Sequence, residues 1–86
     1  MLLESDEKMN LSNLNYKPVK DTFEIGRILR QKRKSQGLTL EQVAQHCGLS
    51  IRFVSEVERG KPTAEFGKVL FLLGAVGVDL FANTRE

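Results

Sequence analysis

Apolar residues recur at helical spacing in four stretches of the chain and lose any period outside them. The first stretch is Ile25, Ile28 and Leu29. Ahead of it stand Asp21 and Glu24, whose spacing predicts a capping box and a helix that begins near Asp21 or Thr22. Gly37 marks its end, and Arg30, Lys32, Arg33 and Lys34 fill the last turns, where the helix dipole favours positive charge. The second stretch is Leu40, Val43, Ala44 and Cys47, a one-sided helical stripe behind the capping box Thr39-Leu40-Glu41-Gln42. Gly48 stops it, and Ser50 caps a third helix after a break of two residues. On that helix Val54, Val57 and Glu58 share one face, while Arg52, Ser55, Glu56 and Arg59 share the opposite one. Gly60 and Pro62 end it.

A fourth helix is predicted from a Thr63 cap to about Val76, with Phe66, Val69, Leu70 and Leu73 on one face and Leu72 and Val76 beside it. It is apolar over most of its circumference. One small core cannot cover so much apolar surface, which predicts that part of this helix meets a partner. Beyond Gly77, the alternation Val78-Asp79-Leu80-Phe81-Ala82 reads as a short strand, and a lone strand needs a second chain to satisfy its backbone groups. Residues 1–20 keep no period and read as a flexible tail closed by Pro18. The expected organisation is a tail over 1–20, a helical domain over 21–77 and a dimerisation strand and end over 78–86.

Composition narrows the picture. Eighty-six residues hold one compact domain, and 41% hydrophobic with 28% charged residues is ordinary for a globular chain. The longest apolar run, Val69 to Leu73, falls far short of the roughly 18 residues of a membrane span. The N-terminus lacks the basic region of a secretory signal, so a cytoplasmic location is expected. Cys47, the single cysteine, allows no intramolecular disulfide, and no histidine cluster offers metal-ligand spacing, so neither metal nor cofactor is expected. Cys47 lies on an apolar stripe and reads as a core residue; His46 has no carboxylate or serine partner in view and reads as a surface side chain. Charge is unevenly spread. Residues 23–61 carry eight basic side chains (Arg27, Arg30, Lys32, Arg33, Lys34, Arg52, Arg59, Lys61) against Glu24, Glu41, Glu56 and Glu58. The segments on either side are each net acidic. The basic middle coincides with the first three helices.

Two short helices joined by a glycine-containing turn, the second with a polar face and flanked by basic residues, form a device for entering a DNA major groove. The run Gly37-Leu38-Thr39-Leu40-Glu41-Gln42-Val43-Ala44-Gln45-His46-Cys47-Gly48-Leu49-Ser50, followed by Val54-Ser55-Glu56-Val57-Glu58-Arg59-Gly60-Lys61, resembles the Xre or Cro-type helix-turn-helix repressors over about residues 25–77. The Gly60-Lys61-Pro62-Thr63 run and the Leu73-Gly74-Ala75-Val76-Gly77-Val78-Asp79-Leu80 tail resemble the HipB-like antitoxin branch. The resemblance implies an all-α, lambda-repressor-like bundle of about five short helices, with one short C-terminal β-strand pairing across a dimer. It also implies a protein that binds DNA and catalyses nothing.

Carried onto this sequence, the family's base-reading positions are Ser50, Ile51, Arg52, Phe53, Ser55 and Glu56. A guanidinium can hydrogen-bond a guanine edge at two points, which makes Arg52 the first candidate for a base contact. Ser50 and Ser55 can donate to phosphate or base; Glu56 can accept from cytosine or orient Arg52. Ile51 and Phe53 depart from the polar residues common at those places, and both thymine-methyl contact and local packing stay open for them. Thr39, Gln42, Arg59 and Lys61 are the implied phosphate contacts, with Arg30 and Lys34 as longer-range electrostatic support. Leu40 stands where many relatives carry glutamine, which removes one such contact. Arg33 and Glu58 both follow apolar residues at spacings of four and so point inward; the family pairs such residues as a structural ion pair.

The implied function is a dimeric repressor on double-stranded palindromic DNA, nucleoid-associated when bound, with no membrane partner and no small-molecule ligand. Within the HipB-like branch it would be an antitoxin that represses its own operon and binds a HipA-like kinase toxin. A stand-alone phage or restriction-modification type regulator is the alternative, as is an interaction module that mainly neutralises a protein partner. The dimer interface is expected to use Leu72, Val76, Val78, Leu80 and Phe81.

Overall fold

The computed structural model describes residues 18–85. Asp21, Thr39 and Ser50 each accept a hydrogen bond from the backbone N–H three residues on, at 2.9, 3.0 and 2.9 Å. Each satisfies a donor that a helix start leaves unpaired. The helices that follow are α1 (Thr22–Ser35), α2 (Leu40–Cys47) and α3 (Ile51–Glu58). At α2 the capping box is reciprocal, because the Gln42 side chain accepts from the Thr39 N–H at 2.9 Å. At α1 it is not: the Glu24 carboxylate accepts from the N–H of Lys20, one residue before the cap.

The helices end alike. After α1, α2 and α3 a backbone N–H reaches back to a carbonyl five residues earlier: Leu38 to Arg33, Leu49 to Ala44 and Lys61 to Glu56, at 2.9 to 3.2 Å. These bonds collect carbonyls that the helix ends would otherwise orphan. Between α2 and α3 the closure turns on Gly48 at φ 69°, a left-handed conformation in which a Cβ would be strained.

The fourth helix, α4 (Phe66–Ala75), starts later than its sequence predicts. Its N-cap is Glu65, with no side-chain capping bond, and Thr63 lies in the preceding turn, which tucks Ala64 against the core. Its orientation also differs. The buried stripe is Val69, Leu72, Leu73 and Val76, while Phe66 and Leu70 face outward. An almost wholly apolar helix has no period to reveal its inner face, so packing against the other helices decides it. Leu72 and Val76, expected at a dimer interface, are 0% and 4% exposed within the protomer and are unavailable to a partner.

Four helices are present among the described residues, against about five expected, and no strand is assigned over residues 78–85. Gly77 closes α4, and the alternating segment after it has no helical period to continue. The expected pairing strand requires a second chain, which a single protomer does not contain. The expected tail over 1–20 lies outside the described residues except for Pro18, Val19 and Lys20, which are exposed and not helical.

Leu29, Val54, Leu72 and Leu73 are fully buried, and Val43, Ala44, Val57, Val69 and Val76 complete the core. Each full Leu or Val burial contributes about 1.5 to 3 kcal/mol before chain-ordering costs. Helix α3 packs on both α1 and α2. The α1 contact is close because Gly26 sits against the end of α3: a Cβ built there would stand 2.5 Å from the carbonyl oxygens of both Val57 and Glu58. Thr22 reinforces the same junction by donating its hydroxyl to the Gly60 carbonyl at 2.7 Å.

Candidate nucleic-acid interface

The core seats α3 by one face only. Val54 and Val57 are buried, while Ile51 is 46% exposed and the Arg52 side chain 85% exposed. This split is the physical origin of the candidate interface: the inward residues fix the helix, and the outward ones have no packing role. Phe53 is half-buried and packs on the core, with the Lys68 ammonium 5.9 Å from its ring centre. Of the two apolar residues at candidate base-reading positions, Phe53 is therefore part of the fold and Ile51 stands outside it. Ser50 accepts from the Phe53 N–H as the helix cap, and Ser55 is half-buried.

Arg52, Glu56 and Lys61 form one charged cluster. Arg52 Nε donates to Glu56 Oε2 at 3.1 Å, and Lys61 Nζ donates to Glu56 Oε1 at 3.1 Å. The Lys61 ammonium and then the Arg52 guanidinium hold the Glu56 carboxyl below the usual carboxylate range, so it is charged at neutral pH. The Arg52 pair is an ordinary helical spacing. The Lys61 pair crosses the end of α3, where no helical period signals it; the signal is Gly60, which folds the chain back.

Other candidate contacts are placed separately. Thr39 and Gln42 are exposed at the start of α2 and engage each other through the capping box. Arg59 is exposed just past α3, and Arg30 and Lys34 are exposed on α1. None of these three cations is brought into the Arg52–Glu56–Lys61 cluster.

Arg33 and Glu58 meet across α1 and α3. Nε of Arg33 donates to Glu58 Oε2 at 2.6 Å and Nη2 donates to Oε1 at 3.0 Å, a two-point contact between side chains 9% and 6% exposed. Nη1 donates to the Leu38 carbonyl at 2.8 Å, so one guanidinium ties α3, α1 and the α1–α2 loop together. The Glu58 hydrogen bond raises the Arg33 pKa, which keeps the guanidinium charged despite burial. Cys47 is half-buried, and desolvation pushes its thiol up, away from nucleophilic character. Among the described residues no His, Cys, Asp or Glu group could hold a metal ion, and no helix is long and apolar enough to cross a membrane.

Residues 24–82 match the family model described as a helix-turn-helix domain. The chain is 40% identical over 68 residues to the uncharacterized HTH-type transcriptional regulator y4mF of Sinorhizobium fredii, spanning 77% of this chain and 90% of that protein. Among solved structures, the fold is similar to HipB in an O2 20mer complex, with a TM-score of 0.73 at 11% identity over 84% of this chain and all of that one. HipB in an O4 20mer complex gives 0.72 at 11% identity over 83% of this chain and all of that one. A capped helix pair around Gly48, an outer α3 face with no packing role and a family match across both lead to one assignment. The chain belongs to the helix-turn-helix family of DNA-binding transcriptional regulators.

Proposed function

We propose that this protein is a sequence-specific transcriptional repressor that places α3 in the DNA major groove and acts as a homodimer. The observation that carries the reading is Arg52, 85% exposed on a helix whose opposite face is wholly buried, with Lys61 just beyond the helix end. Arg52 is assigned to a guanine edge and Ser50, Ile51 and Ser55 to neighbouring contacts, with Lys61, Arg59, Thr39 and Gln42 at phosphates. Arg30 and Lys34 add long-range attraction. Selection of bound duplexes from random DNA tests the reading directly. Arg52→Ala should cost about 1 to 3 kcal/mol and relax preference at one base position, whereas Lys61→Ala should weaken binding to all sequences alike. Equal loss of discrimination in both variants would refute this division of labour.

The dimer reading rests on apolar surface the protomer leaves outside its core. Phe66, Leu70 and Phe71 on α4 are exposed, as are Leu80 and Phe81 beyond it. Ile25, Ile28, Phe66, Val78, Leu80 and Phe81 border an open hollow of about 510 Å³. A second copy that covers this surface and pairs the segments from Val78 to Ala82 would set two α3 helices on successive major grooves. The operator would then be a palindrome with half-sites roughly 34 to 36 Å apart or a multiple of that. Sedimentation at micromolar concentration should show a dimer, and truncation after Gly77 should weaken it. A monomeric full chain, or a truncation that dimerises equally well, would overturn the assignment.

The fold shared with HipB supports a narrower reading, an antitoxin that represses its own operon and binds a HipA-like kinase toxin. A kinase-like reading frame beside this gene, and co-purification of its product with this chain, would support the antitoxin. A regulator acting alone would have neither.

A further inference from the structure

Glu56 places a negative charge on the surface that the proposed function turns toward DNA phosphates. A carboxylate there opposes binding to every sequence, so its presence calls for a compensating role. Its surroundings indicate one. The Glu56 side chain is 19% exposed, far less than Arg52, and its two oxygens are divided between Arg52 Nε and Lys61 Nζ, each at 3.1 Å. The backbone fixes the second contact, because the Lys61 N–H donates to the Glu56 carbonyl at 3.0 Å. Arg52 is engaged through Nε only. Its two terminal nitrogens stay available for the O6 and N7 acceptors of a guanine.

We infer that Glu56 is a positioning residue for DNA recognition, pinning Arg52 through Nε for a guanine edge without touching a base itself. This rests on the reading of α3 as the groove helix. In the free protein the Arg52 contact is a weak surface pair, open to water and screened by salt. In the groove, where water is displaced, the same contact strengthens and holds the guanidinium in one orientation. On DNA lacking the guanine, Arg52 gains nothing from that orientation, and Glu56 repels the phosphates without compensation. The carboxylate thus widens the gap between specific and non-specific binding.

The test compares Glu56→Gln, Arg52→Ala and the double variant on a selected duplex and on a scrambled duplex of equal length, across a salt series. Glu56→Gln keeps shape and removes the charge of a pair whose Arg52 half is open to water, so its thermal melt should stay close to wild type. Its specificity ratio should fall about tenfold, with the lost preference at the base pair that Arg52→Ala also relaxes. The double variant should lose no more than Arg52→Ala alone. On scrambled DNA, Glu56→Gln should bind more tightly at low salt, and the gain should shrink as salt rises, because a negative charge facing the phosphates is gone. Lost preference at a different base pair would mean that Glu56 reads a base directly, and would overturn the inference. Unchanged discrimination and unchanged affinity for scrambled DNA beside a defective Arg52→Ala would overturn it too, leaving the cluster as idle surface contacts. Intact discrimination in Arg52→Ala would instead refute the reading of α3 on which the inference stands.

Discussion

Replacing Glu58 by Ala should lower folding stability by about 3 kcal/mol, because it leaves the buried Arg33 guanidinium without its carboxylate. The loss comes from the stranded charge more than from the missing attraction. Arg33→Met together with Glu58→Leu should therefore recover most of it, since two apolar side chains of similar size need no partner. Recovery should stop short of wild type. Arg33 also donates to the Leu38 carbonyl, and the double variant leaves that acceptor without its donor, at a cost of about 1 kcal/mol. Urea melts of the three proteins decide the matter. A Glu58→Ala curve within a few tenths of a kcal/mol of wild type would show that the pair is open to solvent.

Gly26→Ala should destabilise the fold by about 2 kcal/mol or more, although helix propensity alone would make it stabilising by about 1 kcal/mol. The new methyl would stand 2.5 Å from two carbonyl oxygens of α3, and backbone cannot swing aside as a side chain can. Relief requires α3 to move off α1, which opens the packing around Leu29 and Val54. Gly67→Ala is the control, because open space surrounds that position on α4. It should be neutral to slightly stabilising. Thermal melts should separate the two variants widely, and Gly26→Ala should also weaken DNA binding even at temperatures where it remains folded. A Gly26→Ala protein as stable as wild type would mean that the two helices are free to part.

The difference between these two residues shows where sequence reading succeeds and where it stops. Arg33 is legible because it continues the spacing of Ile25 and Leu29, and a helix that turns those two toward the core must turn Arg33 inward as well. Gly26 leaves no such mark: a glycine inside a helix reads as a weakness until the neighbour that excludes a Cβ is known. The starts of α1, α2 and α3 are legible because Asp21, Thr39 and Ser50 signal them chemically. The start of α4 is not, since Glu65 makes no capping bond and Thr63 signals falsely. Its inner face is hidden too, because Leu70 and Leu73 are equally apolar and only the opposing helices distinguish them. The Arg52–Glu56 pair follows from helical spacing, whereas Lys61 joins it only through the backward fold at Gly60.

Helix α3 can be read as two interleaved messages. Val54, Val57 and Glu58 address the rest of the protein, and Ile51, Arg52 and Glu56 address the outside. Substitutions in the second set leave the first intact, so their effects on stability should be small and nearly additive with core changes. Such a helix lets a lineage drift from one target to another without passing through unfolded intermediates. Phe53 marks the limit of that freedom. Lying between the two sets and packed against the core, it can change only in step with its neighbours, and diverging copies of this gene should vary there less than at Ile51, Arg52 or Glu56.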